Sequence, residues 1–353
     1  MNQLYKAKTT WVVYIAFFVG SLFSACSSDQ AGNTASPAQA QLARKLQEEM
    51  DILTSQNPAL QSLSERIAKD SLHAELYFAR GSMLVQSNAP ELAIIDFDRA
   101  LLLDTTQTAY YMAAADLYFE NQNLKRAIEL LEKARKIAPH NPNIATELGK
   151  FYFYIKQYDK AQTTLQAAIV QKDNEAAPHF WLGMTLRDLQ KDTEAIAEFE
   201  KAIEIAPALQ NAHQMAAKLY AKLGNDKCLK HYDILLKLDT LNLDAQYAKA
   251  LFLQNHQRTD DALKEYRKIM MKDSQYTEAY YNTGYILFSR KEYAKAYPNF
   301  DISVRTSPAY ANAYYMRGLC AEALGKKEDA KKDYEKALTF DENHEKAQKA
   351  LEN

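Results

Sequence analysis

Side chains able to do chemistry are few in this chain, and they are poorly spaced for it. The seven histidines, His73, His140, His179, His213, His231, His256 and His344, stand singly. There is no His-Glu-x-x-His pair, Gly-rich phosphate loop, Gly-x-Ser-x-Gly turn or pair of cysteines at metal-ligand spacing. His179 and His213 share a register 34 residues apart. Packed helices lie about 8–10 Å apart, which is long for joint ligation of a metal by the two. Cys228 and Cys320 read as buried packing thiols, and Cys26, at the end of an apolar run, is the cysteine placed for covalent chemistry. The residues predict no catalytic group, no metal and no cofactor, hence no enzyme. What recurs instead, at one register, is an aromatic side chain: Phe78, Phe180, Tyr247, Tyr281 and Tyr315.

That register belongs to a repeated unit, clearest over residues 311–344. An apolar face at helical spacing (Tyr314, Leu319, Leu324) meets a turn at Gly325, and a second helical run (Ala330, Tyr334, Ala337, Leu338) ends at 341–343. Moved back 34 residues, the frame meets Tyr280, Gly284, Ala296 and Phe300 in the corresponding places. Eight copies are readable: 74–107, 108–141, 142–175, 176–209, 210–242, 243–276, 277–310 and 311–344. The fifth is one residue short, between Gly224 and Cys228. The eighth position is always small (Gly81, Ala115, Gly149, Gly183, Ala217, Ala250, Gly284, Gly318), as a close helix crossing requires. The second helix brings a small residue and then, four places on, a large one, as with Ala330 and Tyr334. Pro139, Pro207 and Pro308 end three copies where a helix must stop. Pro298 lies inside a second helix, either in its first turn or where the stack bends.

A fixed period of this length means a solenoid of helical hairpins, one continuous all-α array. Residues 40–73 read as a divergent N-terminal hairpin, its first helix running from Ala40 to about Ser55 and its second opening at Asn57-Pro58. Residues 345–353 read as a short charged capping helix.

The pattern resembles the tetratricopeptide repeat family: Gly or Ala at position eight, Ala at twenty, an aromatic residue at twenty-four, Ala at twenty-seven and Pro at thirty-two. The resemblance implies a right-handed superhelical solenoid with first helices lining a concave groove. It also implies that the fifth position faces that groove, where Phe78, Phe180, Tyr247, Tyr281 and Tyr315 stand. Other positions implied to be concave add Phe119, Phe153, Tyr154, Tyr285 and Phe288, and Asn143, Asn211, Asn282 and Asn312 supply amides. The Lys and Asn clamp with which chaperone-binding members hold a C-terminal carboxylate is not matched in any copy.

The N-terminal residues carry Lys6 and Lys8 without an acid, and 11–23 is an apolar run shorter than the roughly 20 residues a membrane span needs. This predicts a secretory signal over 1–25. The string Leu22-Phe23-Ser24-Ala25-Cys26 resembles the lipobox of bacterial lipoproteins, which implies acylation of Cys26. Residues 26–39 then read as the lipidated cysteine and a flexible linker, small and polar, reaching at most about 45 Å. Ser27 after the cysteine leans, by that resemblance, toward the outer membrane. A formal net charge of -2 gives no electrostatic reason to seek nucleic acid. The expectation is a non-catalytic, lipid-anchored scaffold of the cell envelope. It would bind a partner protein or peptide in its groove and assist assembly of a secretion, pilus, outer-membrane or cell-wall complex. A glycan-binding surface lipoprotein using the groove aromatics is the alternative.

Overall fold

A computed structural model describes residues 36–352. The signal segment and Cys26 lie outside the described residues. All regular structure among the described residues is helical, and none of these helices is long and apolar enough to cross a membrane. The chain divides into two compact units, split after Lys191.

The first unit holds α1 (Pro37–Gln56), α2 (Pro58–Lys69), α3 (Ala74–Gln86), α4 (Pro90–Leu103), α5 (Thr108–Glu120), α6 (Leu124–Ile137), α7 (Pro142–Tyr154), α8 (Tyr158–Gln171) and α9 (Ala176–Asp188). The second holds α10 (Asp192–Ile205), α11 (Gln210–Lys222), α12 (Lys227–Leu238), α13 (Leu243–Asn255), α14 (Thr259–Lys272), α15 (Thr277–Ser289), α16 (Tyr293–Thr306), α17 (Ala311–Ala323), α18 (Lys327–Phe340) and α19 (Glu345–Glu352).

The linker expected to run to residue 39 gives way earlier, because Ser36 closes a capping box with Gln39 and helix begins at Pro37. Asn57 caps α2 through its side-chain oxygen, which accepts the Ala59 N–H at 3.0 Å. Pro298 is the sixth residue of an unbroken α16, so the first-turn placement is excluded. At the far end α19 buries Ala347 against the last hairpin.

Within a hairpin the two helices cross at the small residue. A Cβ on Gly318 would lie 2.6 Å from the Tyr334 ring, one on Gly284 2.9 Å from Phe300, and one on Gly149 2.5 Å from Leu165. Ala161, Cys228, Ala262 and Ala296, each in the first turn of the second helix of its copy, are fully buried.

Between hairpins, polar pairs add direction to apolar contact. Tyr118 of α5 donates to Asp98 of α4 at 2.6 Å, Tyr152 of α7 to Glu132 of α6 at 2.7 Å, and Tyr220 of α11 to Glu200 of α10 at 2.8 Å. In copies one, six and eight a cation at the seventh position ties three successive helices. Arg80 takes Asp96 and Ser64, Lys249 takes Glu265 and Asp233, and Arg317 takes Asp333 and Asp301.

Every copy turns on a left-handed residue at position fifteen. These are Asn88, Gln122, Lys156, Gln190, Gly224, Gln257, Lys291 and Gly325, with φ between 57° and 78°. The N–H of the following residue then bonds back across the turn, as Asn123 does to the Tyr118 carbonyl at 2.8 Å. A side chain in this conformation costs about 1–2 kcal/mol, tolerated here because the flanking helices fix the turn.

Two substitutions test this packing by urea denaturation. Gly318→Ala is expected to lose about 1–3 kcal/mol by overpacking the Tyr334 ring. Gln122→Gly is expected to gain about 1 kcal/mol by relieving the left-handed turn.

Candidate functional site

In the first unit the helices α5, α7 and α9, the first helices of three successive copies, bring a group of rings together. Phe119 stacks in parallel on the buried Phe151 at 4.4 Å, and that contact seats it. From there the rings run to Tyr154 at 5.0 Å, on to Trp181 at 5.5 Å, and to Phe180 a further 5.3 Å away. Phe153 closes the group, 5.7 Å from Trp181. Tyr154 is 47% exposed, and the other named rings of the patch are half-buried, so it keeps an open surface on a fixed base.

Charge is placed at the same spot. The Lys150 Nζ lies 5.5 Å from the Phe119 ring centre and 6.0 Å from Trp181, held by Glu147 at 2.9 Å. Asp116, one turn before Phe119 on α5, keeps an exposed edge but is crowded by protein. That desolvation comes first, and Glu147 and Glu120 add to it against the pull of Lys150. Together they push the Asp116 carboxyl up to about 6.

Phe78 is placed differently, between Phe97 of its own hairpin at 5.6 Å and Tyr110 of the next copy at 4.7 Å. In the second unit the tyrosine register proves to be built into the stack. Tyr247 sits by Tyr266 and Tyr276, Tyr281 by Phe300 and Tyr310, and Tyr315 by Tyr334 and His344, all at 4.9–6.1 Å. Each is half-buried between a ring of its own second helix and the last residue of its copy. Burial raises the hydroxyl pKa of all three.

Two of the four amides are likewise engaged. Asn282 donates to the Tyr247 hydroxyl at 3.0 Å. Asn312 accepts from His344 Nε2 at 3.0 Å, while His344 Nδ1 accepts the Ala347 N–H. Tyr285, one turn past Tyr281, is 46% exposed, and Phe288 lies edge-on to Tyr293 at 5.3 Å. Tyr281, Tyr285 and Phe288 share one face of α15 by their spacing.

Of the residues expected at the site, Phe180 joins the ring group of the first unit, Phe78 stands apart from it, and Tyr247, Tyr281, Tyr285, Phe288, Asn312 and Tyr315 lie in the second unit. Trp181, Lys150 and Asp116 lie outside the fifth position and the other positions expected to be concave. Trp181 stands at the sixth position, and its signal was its rarity, since the chain has two tryptophans.

Family models for the tetratricopeptide repeat match residues 118–179, 176–209 and 311–344. Among curated proteins the chain is similar to BBSome complex member BBS4 of Bos taurus, 28% identical over 255 residues, covering 62% of this chain and 48% of that protein. It is also similar to Protein O-mannosyl-transferase TMTC3 of Homo sapiens, 25% identical over 231 residues, covering 63% of this chain and 25% of that one. The chain therefore spans at most about half the length of these relatives. Among solved structures it is similar to the C-terminal part of a TPR repeat-containing protein from Cytophaga hutchinsonii. That likeness has a TM-score of 0.60 at 16% identity, covers 69% of this chain and 99% of the other, and is one of fold.

The raised Asp116 carboxyl sets a pH dependence. Folded protein keeps a proton that unfolded chain has lost between about pH 4 and 6, so this group's contribution to stability falls as pH rises through that window. Asp116→Asn is expected to melt higher than wild type above pH 6 and to match it near pH 4. Thermal unfolding across pH checks this, and equal melting shifts at pH 4 and 8 would refute it.

Proposed function

We propose, from the premise that this chain is a tetratricopeptide repeat protein, that it is a non-catalytic scaffold docking a partner protein on the surface of its first helices. One observation carries the reading: the Phe119, Tyr154, Trp181 and Phe153 rings form a partly open patch across three consecutive first helices. Rigid Tyr and Trp side chains give large contact area at low entropy cost. Asp116, Glu120 and Glu147 outweigh Lys150 around it, so the patch suits a segment that sets a Lys or Arg beside an apolar anchor. The Tyr285 and Phe288 face of α15 is a second contact in the other unit, with Tyr247, Tyr281 and Tyr315 as its support.

In this reading Cys26 carries the lipid anchor, and the scaffold works at the cell envelope, assisting assembly of a complex there. At about 0.8 kcal/mol per buried methylene, two or more acyl chains hold a protein stably at a membrane.

Crosslinking and pull-down from membranes tests the docking. Capture of the partner is expected to drop about tenfold or more in a Tyr154→Ala, Trp181→Ala protein with helicity retained, the scale of losing hot-spot aromatics. Undiminished capture by this variant and by Tyr285→Ala, Phe288→Ala would remove the first-helix surface from the account. Retention of an oligosaccharide in place of a protein would favour the glycan alternative. Separately, Cys26→Ser is expected to leave the membrane fraction, and a variant that still partitions there would count against the anchor.

A further inference from the structure

Outside these surfaces, α10, α11 and α12 meet around two imidazoles. His213 of α11 and His231 of α12 are buried, at 1% and 4% exposure, and their Nδ1 atoms are 3.0 Å apart. The other nitrogen of each ring also has a partner. His213 Nε2 lies 3.0 Å from the Pro207 carbonyl oxygen, and His231 Nε2 lies 3.2 Å from Glu200 Oε1. That same Glu200 oxygen accepts the Tyr220 hydroxyl at 2.8 Å, and the Tyr220 ring stacks on His231 at 5.6 Å.

The contacts form a row: carbonyl, imidazole, imidazole, carboxylate. A carbonyl oxygen and a carboxylate oxygen only accept, so each end of the row needs a proton, and the central contact needs one more. Two neutral imidazoles bring two protons, one short of three.

We infer that His213, His231 and Glu200 form a one-proton latch, which closes all three contacts only when the histidine pair holds a single shared extra proton balanced by the Glu200 carboxylate. Placing that proton on the Glu200 side of its contact leaves the count unchanged. With the proton gone, two lone pairs face each other somewhere in the row. With a second added, two N–H groups meet head-on across the 3.0 Å central contact. The joint of α10, α11 and α12 is therefore sensitive to proton gain and to proton loss.

The groups facing the pair are Glu200 from α10, Tyr220 from α11 and Lys230 from α12. Burial is the largest influence on His231 and lowers its pKa. Glu200 opposes it, and His213 and Lys230 reinforce it. Exclusion of the second proton sets the acid limb. Unfolded chain binds two protons where the latch binds one, so stability in acid falls by up to about tenfold in equilibrium constant per pH unit from this pair.

Histidine ring signals of the full chain, followed by NMR from pH 8 to pH 4.5, test the latch. The expected result is one shared step in which both rings move with a common midpoint and take up one proton between them. Amide protection in α10, α11 and α12, corrected for intrinsic exchange, should peak around that one-proton state. In His231→Gln the coupling is lost, and the shared step is expected to disappear. Two independent steps with full uptake of two protons by the folded chain would overturn the latch. Two rings that stay neutral down to pH 4.5 would overturn it equally.

Discussion

The constraint on which this structure depends is the crossing inside each hairpin, where a residue with little or no side chain admits a ring or a leucine from the facing helix. At Gly318 the space a methyl group would take is already filled by Tyr334, and Gly149 stands in the same relation to Leu165. The side chains at the crossing set how closely the helices approach and how their ridges and grooves mesh, and that meshing decides which residues of a first helix point away from the second. The exposed edges of Tyr154 and Tyr285 are the far side of that packing. An aromatic surface on these hairpins is thus a consequence of how tightly their two helices close.

Much of this could be read from the sequence because it is local. The small residue at position eight and the large one at twenty-four are sixteen residues apart in one hairpin, and eight copies in register make the pair visible. What lay hidden crosses between elements or varies between copies. Tyr118 and Asp98, or Tyr220 and Glu200, are twenty residues apart in neighbouring copies, and other copies carry leucine or alanine in place of the tyrosine. The left-handed turn residue is Asn, Gln, Lys or Gly by turns, so no residue type marks it. His213 shares its register with His179, whereas its partner is His231 on the other helix of its own copy. The linker boundary moved because a serine and a glutamine three residues apart cap a helix that composition alone reads as tether.

The site shows the same division. Tyr247, Tyr281 and Tyr315 drew attention by their spacing, and that spacing reflects their work inside the stack. Each fills the space between a second-helix ring and the end of its copy. Trp181 and Lys150 carry no register signal, yet they sit where three first helices offer an open aromatic surface with charge beside it. Residues that serve packing repeat with the array, whereas those that distinguish one surface from another depart from it.

The three-helix ties made by Arg80, Lys249 and Arg317 bear on how such a chain can change over time. Arg317 reaches back to Asp301 of the preceding copy. Were copy seven lost by a clean deletion of 277–310, Arg317 would meet the residue at the same position of copy six, Arg267, and a cation would face a cation. Lys249, which takes Asp233, would by contrast meet Glu200 on loss of copy five, another carboxylate. An array assembled from near-identical units is at Arg317 no longer made of interchangeable parts. Its length and the order of its copies are held by charge matching as well as by shape.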